Sequence, residues 1–252
     1  MFLFTHIEKC AGTSLNDVLS LTFLRYFHVT VNNYGGNELR NDLDLNQFNK
    51  IKKYKPSGIG GHSVRPYLEY FNTDVKKITF LRNPIDRYLS HLNHIIETGW
   101  AKSIDDFLSK EQFKDFMTKK IAGENEYDKA FDILSNFNFV GDANQYAKSL
   151  NYLQDVLQVR LIGNDVNKNQ RSSNTNYIKY SDLSNEQKNK VEENNKNDIK
   201  LYKKLIINNS IINTYNDVFL YKKPSLVREK LVLKLNKYKK KKIVEPIRKL
   251  KT

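Results

Sequence analysis

Short apolar runs alternate along the chain with stretches whose apolar residues recur at helical spacing. The clearest runs are rich in aromatic and β-branched residues, a composition that favours buried strands, and they lie at 2–7, 75–81 and 137–141. A stretch with helical spacing follows each run, at 15–24, 84–95 and 144–157. Strands alternating with helices predict an α/β fold with a P-loop-like central parallel β-sheet, flanked by helices on both faces.

Other segments carry weaker patterns. We expect a short strand at 28–33, short helices within 103–135, and further helices at 43–55, 67–71 and 184–202. The last begins with a capping box, in which Ser184 is followed three residues later by Gln187. Residues 57–62 are interpreted as a flexible, Gly-rich segment leading into a site, and residues 164–180 as a polar loop.

Positive charge is concentrated at the C-terminal end. Residues 222–252 hold thirteen Lys/Arg and two Asp/Glu, a net charge of +11 out of +14 for the chain. We therefore predict a domain at 1–221 and a basic tail at 222–252, helical or partly disordered. A rough apolar stripe on the tail suits an anionic membrane surface, with a solvated end as the alternative; the stripe consists of Val227, Leu231, Leu235 and Tyr238.

Cysteine and apolar content bear on the compartment. Cys10 is the one cysteine, so no intramolecular disulfide can form, which fits a reducing environment. No signal-peptide pattern is visible, and no apolar run approaches about 18 residues. We expect a cytoplasmic protein that is peripheral at the membrane if its tail binds there. The histidines and Cys10 show no ligand spacing, so no metal is predicted.

The segment from Glu8 to Ser14 has the composition of a phosphate-binding loop. A helix that starts directly after a strand presents unpaired N–H groups and the positive end of its dipole. Lys9 adds a cation, and Thr13 and Ser14 add hydroxyl donors. Lys9 precedes the loop's glycine, Gly12, whereas in the ATPase signature the lysine follows a glycine, so the loop is not of the ATPase type.

A second strand–helix element follows at 78–91. Arg82 ends the strand, where ligands bind in open α/β sheets, and Pro84 suits the first helical turn. Ser90 lies two turns along, on a face that can return to the same phosphate. An arginine can hold a phosphate through two parallel hydrogen bonds. For Arg87 we expect an ion pair with a neighbouring carboxylate.

These two segments resemble a known family. Residues 6–15 are similar to the His-Ile-Pro-Lys-Thr-Gly/Ala-Gly-Thr-Ser loop of carbohydrate sulfotransferases that use 3′-phosphoadenosine 5′-phosphosulfate (PAPS), particularly the heparan sulfate 2-O-sulfotransferase group and its bacterial relatives. Residues 78–91 resemble the family's strand–Arg-Asp-Pro–helix element, and the resemblance covers roughly residues 2–205. Glu8 departs from the family's Pro, Cys10 from its Thr, and Asn83 from its frequent Asp.

The resemblance implies the sulfotransferase fold and a PAPS-dependent sulfotransferase, whose acceptor hydroxyl belongs to a carbohydrate or glycoconjugate. In the family, the loop holds the 5′-phosphosulfate, an Arg and a Ser hold the 3′-phosphate, and a later basic loop covers the adenine or the 3′-phosphate. Carried onto this sequence, these cofactor-binding positions are Lys9, Cys10, Ala11, Gly12, Thr13, Ser14, Arg82, Ser90, Arg171 and Ser172.

Sulfuryl transfer needs a cation at the leaving oxygen and a base at the acceptor. Lys9 is the candidate cation. His62 is the candidate base, because Gly61-His62 resembles the family's Gly-His segment with its catalytic histidine, and a neutral imidazole suits the task near pH 7. Glu8 stays open as an alternative base. We expect His6 to be buried and hydrogen-bonded, and His91 to pack or touch the cofactor.

Two other classes of function remain as alternatives. One is a nucleotide-dependent small-molecule kinase, against which the missing Gly-Lys-Ser/Thr speaks. The other is a non-catalytic nucleic-acid-binding protein, which the basic tail favours. The body is nearly neutral and has no recognisable nucleic-acid-binding motif, so no nucleic-acid partner is expected.

Overall fold

The computed structural model describes residues 1–30, 42–163, 177–208, 210–219 and 221–248. Within these ranges five strands form one sheet in the order β2-β3-β1-β4-β5, and every neighbouring pair is parallel. The strands are β1 (Phe2–Thr5), β2 (Tyr26–His28), β3 (Gly58–Gly61), β4 (Lys76–Leu81) and β5 (Phe139–Asp142). The predicted α/β class with a central parallel sheet is confirmed.

Helices connect and cover the strands. The α-helices are α1 (Gly12–Thr22), α2 (Leu45–Lys52), α3 (Pro84–Glu97), α4 (Ile104–Ser109), α5 (Phe116–Ala122), α6 (Tyr127–Ser135), α7 (Tyr146–Leu157), α8 (Asn185–Glu193), α9 (Lys196–Tyr202), α10 (Leu226–Lys239) and α11 (Glu245–Arg248). Single 3₁₀ turns lie at Glu69–Asn72, Glu111–Phe113, Ala143–Gln145, Tyr180–Asp182 and Ser210–Thr214, and π-helical turns at Lys203–Ile207 and Lys240–Val244.

The sheet separates two apolar cores, because successive strand side chains point to opposite faces. On one face Phe2 and Phe4 pack with residues of α1, α5, α6, α7 and α9. On the other face Leu3 packs with Ile59 and with residues of α2 and the C-terminal helices. A third cluster, built from α3, α4 and α8, extends the domain to one side. Helices therefore cover both faces of the sheet.

Residues 58–61 form a buried strand, which corrects the prediction of a flexible segment. Its glycines make room for neighbouring rings: a Cβ at Gly58 would lie 2.2 Å from the Phe2 ring, and one at Gly60 would lie 2.5 Å from the Tyr26 hydroxyl. A strand with so few side chains has no apolar pattern to read. β2 lies at Tyr26–His28, slightly earlier than the predicted 28–33.

The predicted single helix at 184–202 is two helices, and polar side chains explain the break. The Asn194 amide donates to the Tyr88 hydroxyl and to the Leu108 carbonyl, each at 2.9 Å. The Asn195 amide donates to the Val191 carbonyl at 2.7 Å. The bonds of Asn194 tie the chain to α3 and α4 where α8 ends, before α9 begins. The predicted capping box at Ser184 and Gln187 is present.

The basic tail is helical from Leu226 to Arg248 and packs on the body. Arg228 donates to the carbonyls of Leu21 and Thr22 at 2.7 and 3.0 Å, which satisfies acceptors in the last turn of α1. Lys239 donates to the carbonyls of Leu24 and Tyr26 at 3.0 and 2.8 Å. Three buried residues of the tail also join the core beside Leu3: Ile243, Val244 and Ile247. The division of the chain into a domain at 1–221 and a tail at 222–252 stays a prediction.

Candidate active site

Three loops meet where β3, β1 and β4 end. Because the strands are parallel and adjacent, their carboxyl ends lie at one edge of the sheet. Lys9 follows β1, His62 follows β3 and Arg82 follows β4. The chain leaves β1 towards β2 and β3 on one side and towards β4 and β5 on the other. Such a change of direction in strand order opens a crevice where α/β proteins bind ligands.

The loop between β1 and α1 winds tightly. Lys9 and Ala11 adopt left-handed backbone angles, with φ of 67° and 58°, and the Cys10 amide donates to the Ile7 carbonyl at 3.3 Å. Gly12 then opens α1 against the His6 ring, where a Cβ would lie 1.9 Å from Cδ2. Ala11 supplies no side-chain cap, so the first amides of α1 have no side-chain partner from the cap residue. This is the geometry of an anion-binding helix start.

Arg82 joins the two predicted phosphate-binding elements. Its Nη1 donates to the Lys9 carbonyl at 3.2 Å, from the end of β4 to the loop after β1. Asn83, where the family often has Asp, caps α3, with Oδ1 accepting from the amides of Ile85 and Asp86 at 3.0 and 3.3 Å. Ser90 is half-buried on α3. The residues around Lys9 and Arg82 that were predicted to bind PAPS therefore come together at one end of the sheet.

Glu8, His62 and Lys120 form a buried charged cluster beside this loop. Glu8 Oε1 lies 3.0 Å from His62 Nδ1 and 2.9 Å from Lys120 Nζ. The Lys120 side chain, from α5, is 2% exposed. His62 Nδ1 also lies 3.2 Å from the His6 carbonyl oxygen, and the His6 and His62 rings stack with centroids 3.8 Å apart. Sequence reasoning missed Lys120, since α5 carries no motif.

The surroundings of Glu8 and of the neighbouring His6 set the protonation states of these two side chains. Burial alone would raise the pKa of the Glu8 carboxyl, but the nearby Lys120 ammonium and the His62 ring outweigh it and hold the pKa well below its usual range. Burial lowers the pKa of His6, with further lowering from His62 and His28. Glu8 is therefore an ionised carboxylate and His6 a neutral ring near neutral pH. His6 is buried as expected, but its Nδ1 makes no hydrogen bond within the part of the chain that the structure describes.

Arg87 does not form the expected ion pair. It is fully buried, and among the described residues no carboxylate lies within ion-pair distance of it. Its guanidinium lies over the Phe116 ring at 4.9 Å, and its Nη1 lies 3.3 Å from His91 Nδ1. His91 packs as expected, edge-on to Phe113 and Phe116. Burial, and then Arg87, lower the pKa of His91.

Cys10 contributes its backbone to the loop and packs its side chain in the core. The thiol is buried, with Sγ 3.9 Å from Met117 Sδ. Burial raises the pKa of the Cys10 thiol to about 12, so it is uncharged near neutral pH. Thr13 is exposed and Ser14 half-buried at the start of α1. The change from the family's Thr to Cys10 thus turns a polar side chain into a packing contact.

The remaining predictions concern two cofactor-binding residues and the absence of a metal ion. The two residues, Arg171 and Ser172, lie outside the described residues. Within the ranges given above, no group of three or more His, Cys, Asp or Glu is arranged to hold a metal ion. The prediction that no metal is needed stays a prediction.

The parallel sheet with helices on both faces defines an α/β protein, and its helix start and Arg82 at the switch point have the character of a phosphate-binding site. The model of the sulfotransferase family matches residues 1–155, well over half of the chain, and the protein belongs to that family. The predicted PAPS-dependent sulfotransferase class is thereby confirmed.

Comparison with individual proteins finds only weak similarity. Mouse sulfotransferase SULT7A1, solved in complex with PAP, is 11% identical with a TM-score of 0.41, over 98% of this chain and 87% of its own. No curated protein matches the chain significantly.

The buried histidines predict how stability depends on pH. His6 and His91 have pKa values lowered by burial, so the unfolded chain takes up their protons more readily. Their contribution to stability is complete above the unfolded pKa of about 6.5 and is lost as the pH falls below it. We expect a melting temperature that is steady from pH 8 to 7 and falls below about pH 6.5, by roughly 2–4 °C per kcal/mol lost.

Comparison with His91→Gln isolates one of these groups. Burial raises the pKa values of Asp142 and Asp198, but these carboxyls are present in both proteins. Between pH 6.5 and 5 the melting temperature of the variant should fall less steeply than that of the wild type, measured by circular dichroism. Parallel curves would show that His91 is not the neutral buried group described above.

Proposed function

We propose that the protein transfers the sulfuryl group of PAPS to a hydroxyl of a carbohydrate or glycoconjugate, and that the loops at Lys9 and Arg82 together hold the donor. The main support for this PAPS-binding site is the hydrogen bond of 3.2 Å from Arg82 Nη1 to the Lys9 carbonyl. It supports the proposal because it joins the two loops that we propose bind phosphate, although they are 73 residues apart in sequence.

The donor would lie across the ends of β1 and β4. Its 5′-phosphosulfate would occupy the first turn of α1, facing the backbone amides of residues 10–14 and the side chains of Lys9, Thr13 and Ser14. Its 3′-phosphate would lie between Arg82 and Ser90. The carry-over of Arg171 and Ser172 to the adenine end rests on the sequence resemblance alone.

Lys9 and His62 divide the chemistry of the transfer. Charge builds on the bridging oxygen as the sulfur leaves it, and Lys9 would neutralise that charge. The acceptor hydroxyl loses its proton, and His62 would take it. The ionised Glu8 is the poorer base, because its pKa is held well below its usual range by Lys120 and His62 against the effect of burial. This favours His62 over Glu8.

The proposed acceptor class comes from the resemblance of the two loops to carbohydrate sulfotransferases. Incubation with ³⁵S-labelled PAPS and separate pools of glycans, lipids and peptides tests it. We expect label in the glycan or glycolipid pool. Label confined to peptides would overturn the acceptor while leaving the sulfotransferase chemistry intact.

The donor site is tested by calorimetric titration with PAP, ATP and an oligonucleotide. Hydrogen bonds to charged groups contribute about 1.5–3 kcal/mol, so Arg82→Ala should weaken PAP binding by about 10- to 150-fold. Arg160→Ala, at an exposed arginine away from the loops, is the matched control and should bind PAP normally. Binding of ATP but not PAP would favour the kinase alternative, and preferred binding of the oligonucleotide would favour the nucleic-acid alternative.

We also propose that the outer face of α10 binds an anionic membrane. Arg228, Val232 and Lys239 face the body, whereas the side chains of Val227, Leu231 and Tyr238 are 77%, 44% and 59% exposed. Exposed lysines flank them, namely Lys230, Lys234, Lys237 and Lys240. An apolar stripe between lysines suits an anionic lipid surface. No helix in the described ranges is long and apolar enough to cross a membrane.

Point substitutions test the α10 surface, since deleting the tail would also remove buried core residues. Each apolar side chain contributes about 1.5–3 kcal/mol when fully buried, so Val227→Glu with Leu231→Glu should weaken binding to phosphatidylserine vesicles tenfold or more. Leu45→Glu, an exposed leucine on α2, is the control. Equal co-sedimentation of all three proteins would exclude this surface.

A further inference from the structure

Glu8 stands where the resembling family has proline, and it contacts the proposed base directly. We propose that Glu8 is a positioning residue for His62: it fixes the tautomer of the ring and stabilises the imidazolium that forms during transfer, while Lys120 balances its charge. This inference rests on the proposed function, because it takes His62 to be the base.

The tautomer follows from the atoms around His62 Nδ1. Two oxygens lie within hydrogen-bonding distance, Glu8 Oε1 at 3.0 Å and the His6 carbonyl at 3.2 Å. A carbonyl oxygen can only accept, and an ionised carboxylate can only accept. Nδ1 must therefore carry the hydrogen. In a neutral ring the basic lone pair then lies on Nε2, the atom that would receive the acceptor's proton.

Stacking fixes the plane of the ring. The His62 and His6 rings lie 25° from parallel with centroids 3.8 Å apart, and His6 stacks in turn on Phe4 at 5.6 Å. His6 also lies against Gly12, at the start of α1, where a Cβ would overlap the His6 ring. The base and the donor loop thus share one packing arrangement, so a shift in either moves the other.

Lys120 explains how a carboxylate can stay ionised at this buried place. An isolated buried carboxylate would take up a proton, but the Lys120 ammonium lies 2.9 Å from Glu8 Oε1. With His62 neutral, the Glu8–Lys120 pair carries no net charge. When His62 gains a proton, its positive charge faces the negative oxygen 3.0 Å from Nδ1. The carboxylate therefore interacts more favourably with the product state of the proton transfer than with the ground state.

The step balances as follows. The acceptor oxygen forms a bond to the sulfur of PAPS as the bond from sulfur to the phosphate oxygen breaks. The electron pair of the broken bond leaves on PAP. The acceptor's proton moves to His62 Nε2, and Glu8 stays ionised throughout.

Histidine tautomers can be observed without any turnover. In protein labelled with ¹⁵N in its histidine rings, His62 should show a protonated Nδ1 and an unprotonated Nε2 at pH 8, assigned by its absence in His62→Gln. Glu8→Ala removes one of the two acceptors at Nδ1 and leaves only the His6 carbonyl, so the Nε2–H form, which free histidine prefers, should become detectable beside the Nδ1–H form. A wild-type His62 in the Nε2–H form would overturn the inference, whatever the enzyme's activity.

Kinetics with labelled PAPS and a glycan pool give the second test. Glu8→Gln keeps an acceptor oxygen but loses the charge, so kcat should fall about 10- to 100-fold with KM for PAPS unchanged. Glu8→Gln in a His62→Gln background should cause no further loss, because Glu8 acts only through His62. Glu69→Gln, at an exposed glutamate, is the matched control and should keep full kcat.

The pH profile separates positioning from a merely structural role. The ionisable groups around His62 are Glu8, Lys120, His6 and His28. Removing the negative charge in Glu8→Gln should move the acid limb of kcat to lower pH, because the imidazolium loses its anionic partner.

Buried Lys120 no longer faces the charge of the Glu8 carboxylate in that variant, so Glu8→Gln with Lys120→Met serves as the fold-preserving version. The double variant should show the same loss of kcat with normal PAP affinity. Full activity in either variant would contradict the role of Glu8. Full activity in His62→Gln would instead contradict the proposed base.

Discussion

The parallel pairing of β1 with β3 on one side and β4 on the other is the constraint on which the site depends. It brings together three loops that follow different strands, marked in the sequence by Lys9, His62 and Arg82. The loop after β1 supplies the helix start and Lys9, the one after β3 supplies His62, and the one after β4 supplies Arg82. The hydrogen bond from Arg82 to the Lys9 carbonyl then holds two of these loops in register.

The second feature of the site is that it holds charged side chains away from water. Glu8 and Lys120 are both largely removed from water, and such pairs often contribute little net stability, since desolvation offsets their attraction. Arg87 is fully buried with no carboxylate of the described residues in ion-pair distance, and it is accommodated by the Phe116 ring and His91. An apolar core would be easier to form here. Charges held beside the proposed base and the proposed phosphate loop make sense as electrostatic groups set in place before the substrate binds.

The sequence allowed the strongest local signals to be read correctly. β1 and β4 were predictable because their apolar residues are contiguous and bounded by polar turns, and the helices after them because their apolar spacing is regular. β3 was missed because glycines at Gly58 and Gly60 give it no pattern of apolar side chains. The rings of Phe2 and Tyr26 occupy the space where those side chains would lie. Likewise, the break at Asn194 depends on Tyr88 and Leu108, which lie far away in sequence. The single local sign of the Glu8–Lys120 pair was an acidic residue in place of proline, and nothing in the sequence indicated its partner.

The most direct measurement of the central claim is a crystal structure of the protein with PAP. We expect the 5′-phosphate over the amides at the start of α1 beside Lys9, and the 3′-phosphate between Arg82 and Ser90. PAP bound at another edge of the sheet, or with neither phosphate touching these two loops, would contradict it.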